Sequence, residues 1–154
     1  MITQPVNLLL ADDDTDDCNF FKEALNELPV STQLTTVHDG EQLMQLLTKE
    51  TYEFPHVLFL DLNMPRKNGF ECLSEIKLSN KLKQLPVIIF STSLEQEVVN
   101  LLYKNGAQYC IGKPTEILQL KTVIEQALAL ITQKNISQPT IENFVLTGQN
   151  NLII

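Results

Sequence analysis

The chain has 154 residues, 44% of them hydrophobic, and a net charge of −8 with no cluster of Lys or Arg. That length supplies one full core and is short for two ordinary domains, and the missing basic footprint argues against direct nucleic-acid binding. No apolar stretch approaches the length of a membrane span, and residues 1–5 lack the charged-then-apolar layout of a signal peptide, so a cytoplasmic location and no membrane partner are expected.

The first apolar run, Val6–Ala11, is closed by Asp12 and Asp13 and reads as a buried strand. Residues 15–28 follow with Phe20, Phe21, Ala24, Leu25 and Leu28 at helical spacing. Asp14 or Thr15 can cap this helix, and Asp16 and Asp17 fall in its first turn, where the helix dipole favours anions. Pro29 ends it. A weaker alternating strand runs near 33–37, and Asp39 with Gly40, Glu41 and Gln42 resembles a capped start for a helix carrying Leu43, Leu46 and Leu47.

Val57–Leu60 is the third strand, closed by Asp61, and the loop 63–68 leads into a helix over 69–79. Residues 86–91 form the fourth strand. Ser93 with Gln96 predicts a capping box for the next helix, which Gly106 terminates. The fifth strand ends near Gly112, followed by Lys113 and Pro114. The last helix covers 116–132, with Ile117, Leu120, Ile124, Leu128 and Ile131 on one stripe. Five β-then-α units predict a doubly wound parallel sheet. We divide the chain into a domain over 1–133 and a tail over 134–154 whose apolar stretches, Phe144 to Leu146 and Leu152 to Ile154, predict docking, dimerisation or disorder.

In open α/β sheets the chemistry sits outside the carboxyl ends of the strands. Asp12, Asp13, Asp61 and Lys113 are therefore expected to converge at one edge. Clustered carboxylates repel unless a cation joins them, which points to a divalent metal site. The register of the acids stays open at this stage, because Asp14 can replace one partner. Cys18, Cys72 and Cys110 fit neither a disulfide framework nor a CxxC site and read as reduced structural thiols. His38 and His56 lack acid or cysteine partners at ligand spacing. No Gly-rich phosphate loop is present.

The segments Ala11-Asp12-Asp13-Asp14, Asp61-Leu62-Asn63-Met64-Pro65 with Asn68-Gly69, Ser91-Thr92 and Lys113-Pro114, in this order and each at a strand end, resemble the receiver domain of two-component response regulators. The resemblance covers about residues 6–132 and extends to stand-alone CheY-like and cyanobacterial phytochrome regulators, which also carry C-terminal extensions. It implies a flavodoxin-like sheet of five strands in the order 2-1-3-4-5 with five helices. It implies Asp61 as phosphoacceptor, assisted by Lys113 and Ser91. Mg²⁺ is then the expected cofactor, held by Asp13, Asp61 and the backbone carbonyl of Asn63, with Asp12 acting through water. The implied phosphodonor is a sensor histidine kinase or a histidine phosphotransfer protein. The signal is expected to leave by contact with a downstream protein, and the face of the fourth helix, fifth strand and last helix is the expected homodimer surface. No enzymatic activity beyond the protein's own phosphorylation and dephosphorylation is expected. The competing reading is a pseudo-receiver that only binds partners.

In the family the bond before the proline is cis, and an aromatic residue stands three positions before the lysine. Here that position is Cys110, with Tyr109 one step earlier, on the opposite face of a regular strand. Either a smaller side chain takes the role or the strand is locally irregular.

Overall fold

The computed structural model describes residues 4–50, 52–133 and 137–148. The elements alternate as β1 (Val6–Ala11), α1 (Thr15–Asn26), β2 (Thr32–Val37), α2 (Gly40–Leu47), β3 (Val57–Leu60), α3 (Gly69–Leu78), β4 (Val87–Ser91), α4 (Gln96–Lys104), β5 (Tyr109–Gly112) and α5 (Ile117–Ile131). The short 3-10 turn Ile141–Asn143 and strand β6 (Val145–Leu146) follow. All neighbouring strands pair in parallel, in the order β2-β1-β3-β4-β5-β6.

The inner strands read as unbroken apolar runs because helices cover both faces. Alternate residues feed two cores. Leu8, Leu10, Phe59, Ile88, Phe90 and Ile111 pack with α1 and α5. Leu9, Leu58, Leu60, Val87, Ile89 and Cys110 pack with α2, α3 and α4. In the first core Phe21 sits edge-on to Phe59 and Phe90, with ring centroids 5.0 and 5.4 Å away. The Phe90 ring of this trio also stands 5.6 Å from Lys113 Nζ, which ties the core to the edge where the acids gather.

Asp14 caps α1 by accepting from the backbone N–H of Asp17, and Asp39 caps α2 by accepting from Gln42. Asn68 and Glu71 form a reciprocal capping box on α3. The box expected from Ser93 and Gln96 is not made. The N-cap of α4 is Glu95, without a side-chain cap bond, and the Gln96 amide instead donates to the Asn100 side chain one turn on. Gly106 ends α4 at a φ of 97°, a left-handed conformation that favours glycine.

The five-stranded expectation is corrected to six strands among the described residues. The outer edge of β5 would otherwise leave backbone groups unpaired. The tail fills it: the Cys110 N–H donates to the Phe144 carbonyl at 3.0 Å, and Cys110 and Ile111 pair with Val145 and Leu146. A two-residue strand carries too little alternation to be read in advance. Phe144 is fully buried in the α2–α3–α4 core, edge-on to Tyr103 at 5.1 Å. The Tyr103 hydroxyl donates to the Pro139 carbonyl at 2.6 Å, and the Gln138 amide donates to the carbonyls of Tyr103 and Ala107. The apolar segment Leu152 to Ile154 lies outside the described residues.

Strand β5 is regular, in register with β4 from Tyr109 to Gly112. Cys110 therefore faces the α4 side, where Tyr103 and Phe144 are the neighbouring aromatics, and Tyr109 faces the α1–α5 core. Among the described residues no peptide bond is cis, that between Lys113 and Pro114 included. All three cysteines are free and buried, and desolvation pushes their thiols up to about 11 at Cys18 and about 12 at Cys72 and Cys110. Free, buried and held in the thiol form, they fit the structural role expected from the sequence.

Candidate functional site

Asp12, Asp61 and Lys113 each stand one step past a strand end, held there by an extension of the sheet's hydrogen bonding, and Ser91 is the last residue of β4. The Asp12 N–H donates to Val37 at the end of β2, and the Asp61 N–H donates to Ala11 at the end of β1. The Lys113 N–H donates to the carbonyl of Ser91, the last residue of β4. The sheet thus fixes Asp12, Asp61, Ser91 and Lys113 at one edge. Carboxylate oxygens of Asp12, Asp13 and Asp61 all lie within 4.8 Å of one another. Asp12 and Asp61 are buried, and Asp13 is exposed.

A second set of contacts locks the loop that follows Asp61. A Cβ on Gly69 would stand 2.3 Å from the Asp61 carbonyl oxygen, so only glycine lets α3 start this close. The Gly69 N–H donates to Leu62, closing the turn. Arg66 within this loop takes a φ of 70° and lies 3.6 Å from the Asp39 carboxylate. The Asn63 N–H approaches Asp61 Oδ1 at 3.5 Å.

Lys113 is nearly buried, and its Nζ reaches three acids. It stands 2.8 Å from Asp12 Oδ2, 2.8 Å from Asp17 Oδ2 and 3.4 Å from Asp61 Oδ2. The contact with Asp12 is an ion pair by distance, but Asp12 Oδ2 has no partner of hydrogen-bond geometry; its other oxygen accepts from the Asp14 N–H. We therefore treat the Asp12 contact as coulombic and those with Asp17 and Asp61 as directed. The Ser91 hydroxyl is fully buried and has no hydrogen-bond partner. An unmet buried donor is costly unless something else meets it.

The electrostatics follow from burial. Desolvation, reinforced by the negative charge of Asp12, raises the Asp61 carboxyl from 3.8 to about 6, against the opposing pull of Lys113. Burial alone would lower the Lys113 ammonium, but contacts with Asp12, Asp17 and Asp61 outweigh it and hold the group above its ordinary value. Two buried carboxylates, an exposed third and a fixed cation form a site short of positive charge. This donor set of hard oxygens suits Mg²⁺.

The edge therefore brings together Asp12, Asp13, Asp61, Ser91 and Lys113, as the sequence leads one to expect. Asp14 turns away to cap α1. Two participants were not read from the sequence. Asp17 was accounted for as a helix-dipole acid, yet it holds Lys113. His38, expected as an ordinary histidine with no acid or cysteine at ligand spacing, places its Nδ1 3.1 Å from the Asp12 carbonyl oxygen. His56 accepts from the Asn7 N–H away from this edge.

Residues 8–125 match the family model described as "Response regulator receiver domain". The chain is 34% identical over 125 residues to the response regulator Rcp1 of Synechocystis sp., covering 79% of this chain and 85% of that one. It is 27% identical over 124 residues to a probable chemotaxis protein CheY of Rhizobium etli, covering 80% and 93%. Among solved structures, the Mn²⁺-bound form of Rcp1 superposes with a TM-score of 0.75 at 26% identity, over 86% of this chain and 99% of that one. The phosphorylated cyanobacterial phytochrome response regulator RcpA superposes with a TM-score of 0.74 at 30% identity, over 80% and 91%. The converged acids and lysine lie within the matched segment, and the chain belongs to the receiver domain family of two-component response regulators.

Proposed function

We propose that Asp61 accepts a phosphoryl group from a phosphohistidine and that the protein passes the signal on by contact. The observation that carries this reading is the pairing at one sheet edge of a buried carboxylate with a cation 3.4 Å away and a buried, unpartnered serine hydroxyl. An Asp61 oxygen attacks phosphorus, the bond from phosphorus to the donor imidazole breaks, and the imidazole leaves with the electron pair. Such transfer has a loose transition state and needs positioning and charge more than nucleophilic strength. Lys113 offsets charge on the phosphoryl oxygens. Ser91 donates its free hydroxyl to one of them, which gives the phosphorylated state a contact the resting state lacks. Asp13, Asp61 and the Asn63 carbonyl would hold Mg²⁺, with Asp12 acting through water. Bound there, the ion neutralises the acids and the incoming phosphoryl oxygens.

The donor in this reading is a sensor histidine kinase or a histidine phosphotransfer protein. The chain catalyses no reaction beyond its own phosphorylation and dephosphorylation. Output and any self-association use the α4–β5–α5 face as the tail remakes it, where Leu101, Ile141 and Val145 are exposed. Among the described residues no helix is long and apolar enough to cross a membrane.

The test is intact mass after incubation with acetyl phosphate and Mg²⁺. One phosphoryl group is expected on the native protein, none when Mg²⁺ is chelated, and none on Asp61→Asn. The same added mass on Asp61→Asn would overturn the assignment, and no addition to the native protein would favour a receiver that only binds partners.

A further inference from the structure

The best hydrogen bond of Lys113 does not go to Asp61. It goes to Asp17 on the first turn of α1, at 2.8 Å against 3.4 Å, beside an ion-pair contact of 2.8 Å with the buried Asp12 carboxylate. Asp17 belongs to no ligand set: the acids whose oxygens converge for a metal are Asp12, Asp13 and Asp61. Its backbone N–H is already spent on capping, donating to Asp14 Oδ1, so the cap fixes the turn and leaves the carboxylate free to hold the lysine. Its carboxylate is about one-third exposed, whereas Lys113 is almost closed off. A partly exposed helix acid thus grips a nearly buried cation.

We infer that Asp17 is a positioning residue that competes with Asp61 for Lys113 and shortens the life of the phosphorylated state. The inference rests on the reading of Asp61 as phosphoacceptor. A phosphoryl group on Asp61 adds negative charge that Lys113 must serve. Any share of the ammonium kept by Asp17 is withheld from those oxygens, and the Asp17 charge itself opposes the new charge nearby. The same acid helps attract a divalent cation, because it draws positive charge on Lys113 away from the metal-binding oxygens. Removing it therefore has effects of opposite sign. Phosphoryl persistence rises and Mg²⁺ affinity falls. General damage to the fold would lower both.

The experiment uses the full chain and three variants: Asp17→Asn, Asp17→Glu and Asp16→Asn. Asp16 neighbours Asp17 on the same turn but has no contact with Lys113 comparable to that of Asp17, so its variant controls for loss of one charge on the helix. Each protein is loaded from acetyl phosphate, the donor and Mg²⁺ are removed and replaced by fresh Mg²⁺, and the decay of the phosphorylated mass is followed. Mg²⁺ binding is titrated separately by calorimetry. Asp17→Asn is expected to slow decay about two- to fivefold and to weaken Mg²⁺ about twofold, the scale of one partly exposed ion pair. Asp17→Glu is expected to return decay towards the native rate, and Asp16→Asn to match it. Unchanged or faster decay in a folded Asp17→Asn overturns the inference, as does an equal effect of Asp16→Asn. If Asp17→Asn does not fold, Asp17→Ser takes its place under the same criteria. Failure of the native protein to load at all would remove the phosphoacceptor reading and this inference with it, which separates the two.

Discussion

Asp61 is a carboxylate that folding makes harder to ionise, and this has a cost in stability of predictable sign. Its carboxyl is raised by burial and by Asp12 from 3.8 to about 6. The folded state therefore binds a proton more tightly than the unfolded chain does. The stabilisation this gives is complete below about pH 4 and is lost as pH rises through about 6. In chelator, Asp61→Asn is expected to be more stable than the native protein at pH 7.5 by roughly 1–3 kcal/mol, with the gap closing towards pH 4. Thermal melts across that range check it, and a gap that widens on acidification would contradict the assignment of charge. Adding Mg²⁺ should narrow the gap at neutral pH by stabilising the native protein alone. Asp61 and Lys113 were legible in the sequence because each directly ends an apolar run, where no packing need explains a charge. Asp17 was not. Its place in the first turn of a helix already had a sufficient local reason, and its pairing with Lys113 spans 96 positions.

At the scale of elements, the site depends on how closely α3 starts beside Asp61. Gly69 has no room for a side chain, since the nearest backbone atoms belong to Asp61 and Leu62. Gly69→Ala is expected to destabilise the fold by about 1–3 kcal/mol and to slow phosphorylation from acetyl phosphate, because relief of the clash must move the Asp61 backbone. Urea denaturation and the rate of mass gain measure the two effects. A native rate together with native stability would show that the loop tolerates a Cβ and does not position the acceptor. The five β/α units were readable because their periodicity is long and consistent. The cap of α4 differs from the expectation: Ser93 and Gln96 have the right spacing, but Glu95 is the N-cap and the helix begins at Gln96, two positions too late for the box.

Across the whole molecule, the tail turns an open sheet edge into part of the core. Phe144 fills the side of β5 on which Cys110 offers little bulk, so a ring from a distant segment stands beside the strand that carries Lys113. Phe144→Ala should lower stability by about 3 kcal/mol, near the low end for a buried phenylalanine because a loosened tail can undock. An unchanged denaturation midpoint would show that the ring contributes nothing to the core. Docking of the tail is one of the outcomes its apolar stretches predict, but the strand it adds was out of reach of sequence reading, since parallel pairing of two residues leaves no period to detect. The central claim remains that one buried carboxylate takes the phosphoryl group while a lysine and a serine on neighbouring strands receive its oxygens. Its most direct test is a crystal structure of the protein with Mg²⁺ and beryllofluoride, a mimic of the phosphoryl group. The account predicts beryllium on an Asp61 oxygen, Lys113 Nζ and Ser91 Oγ on its fluorides, and the metal on Asp13 and Asp61. Beryllium on Asp12 or Asp13, or a Ser91 hydroxyl still without a partner, would contradict it.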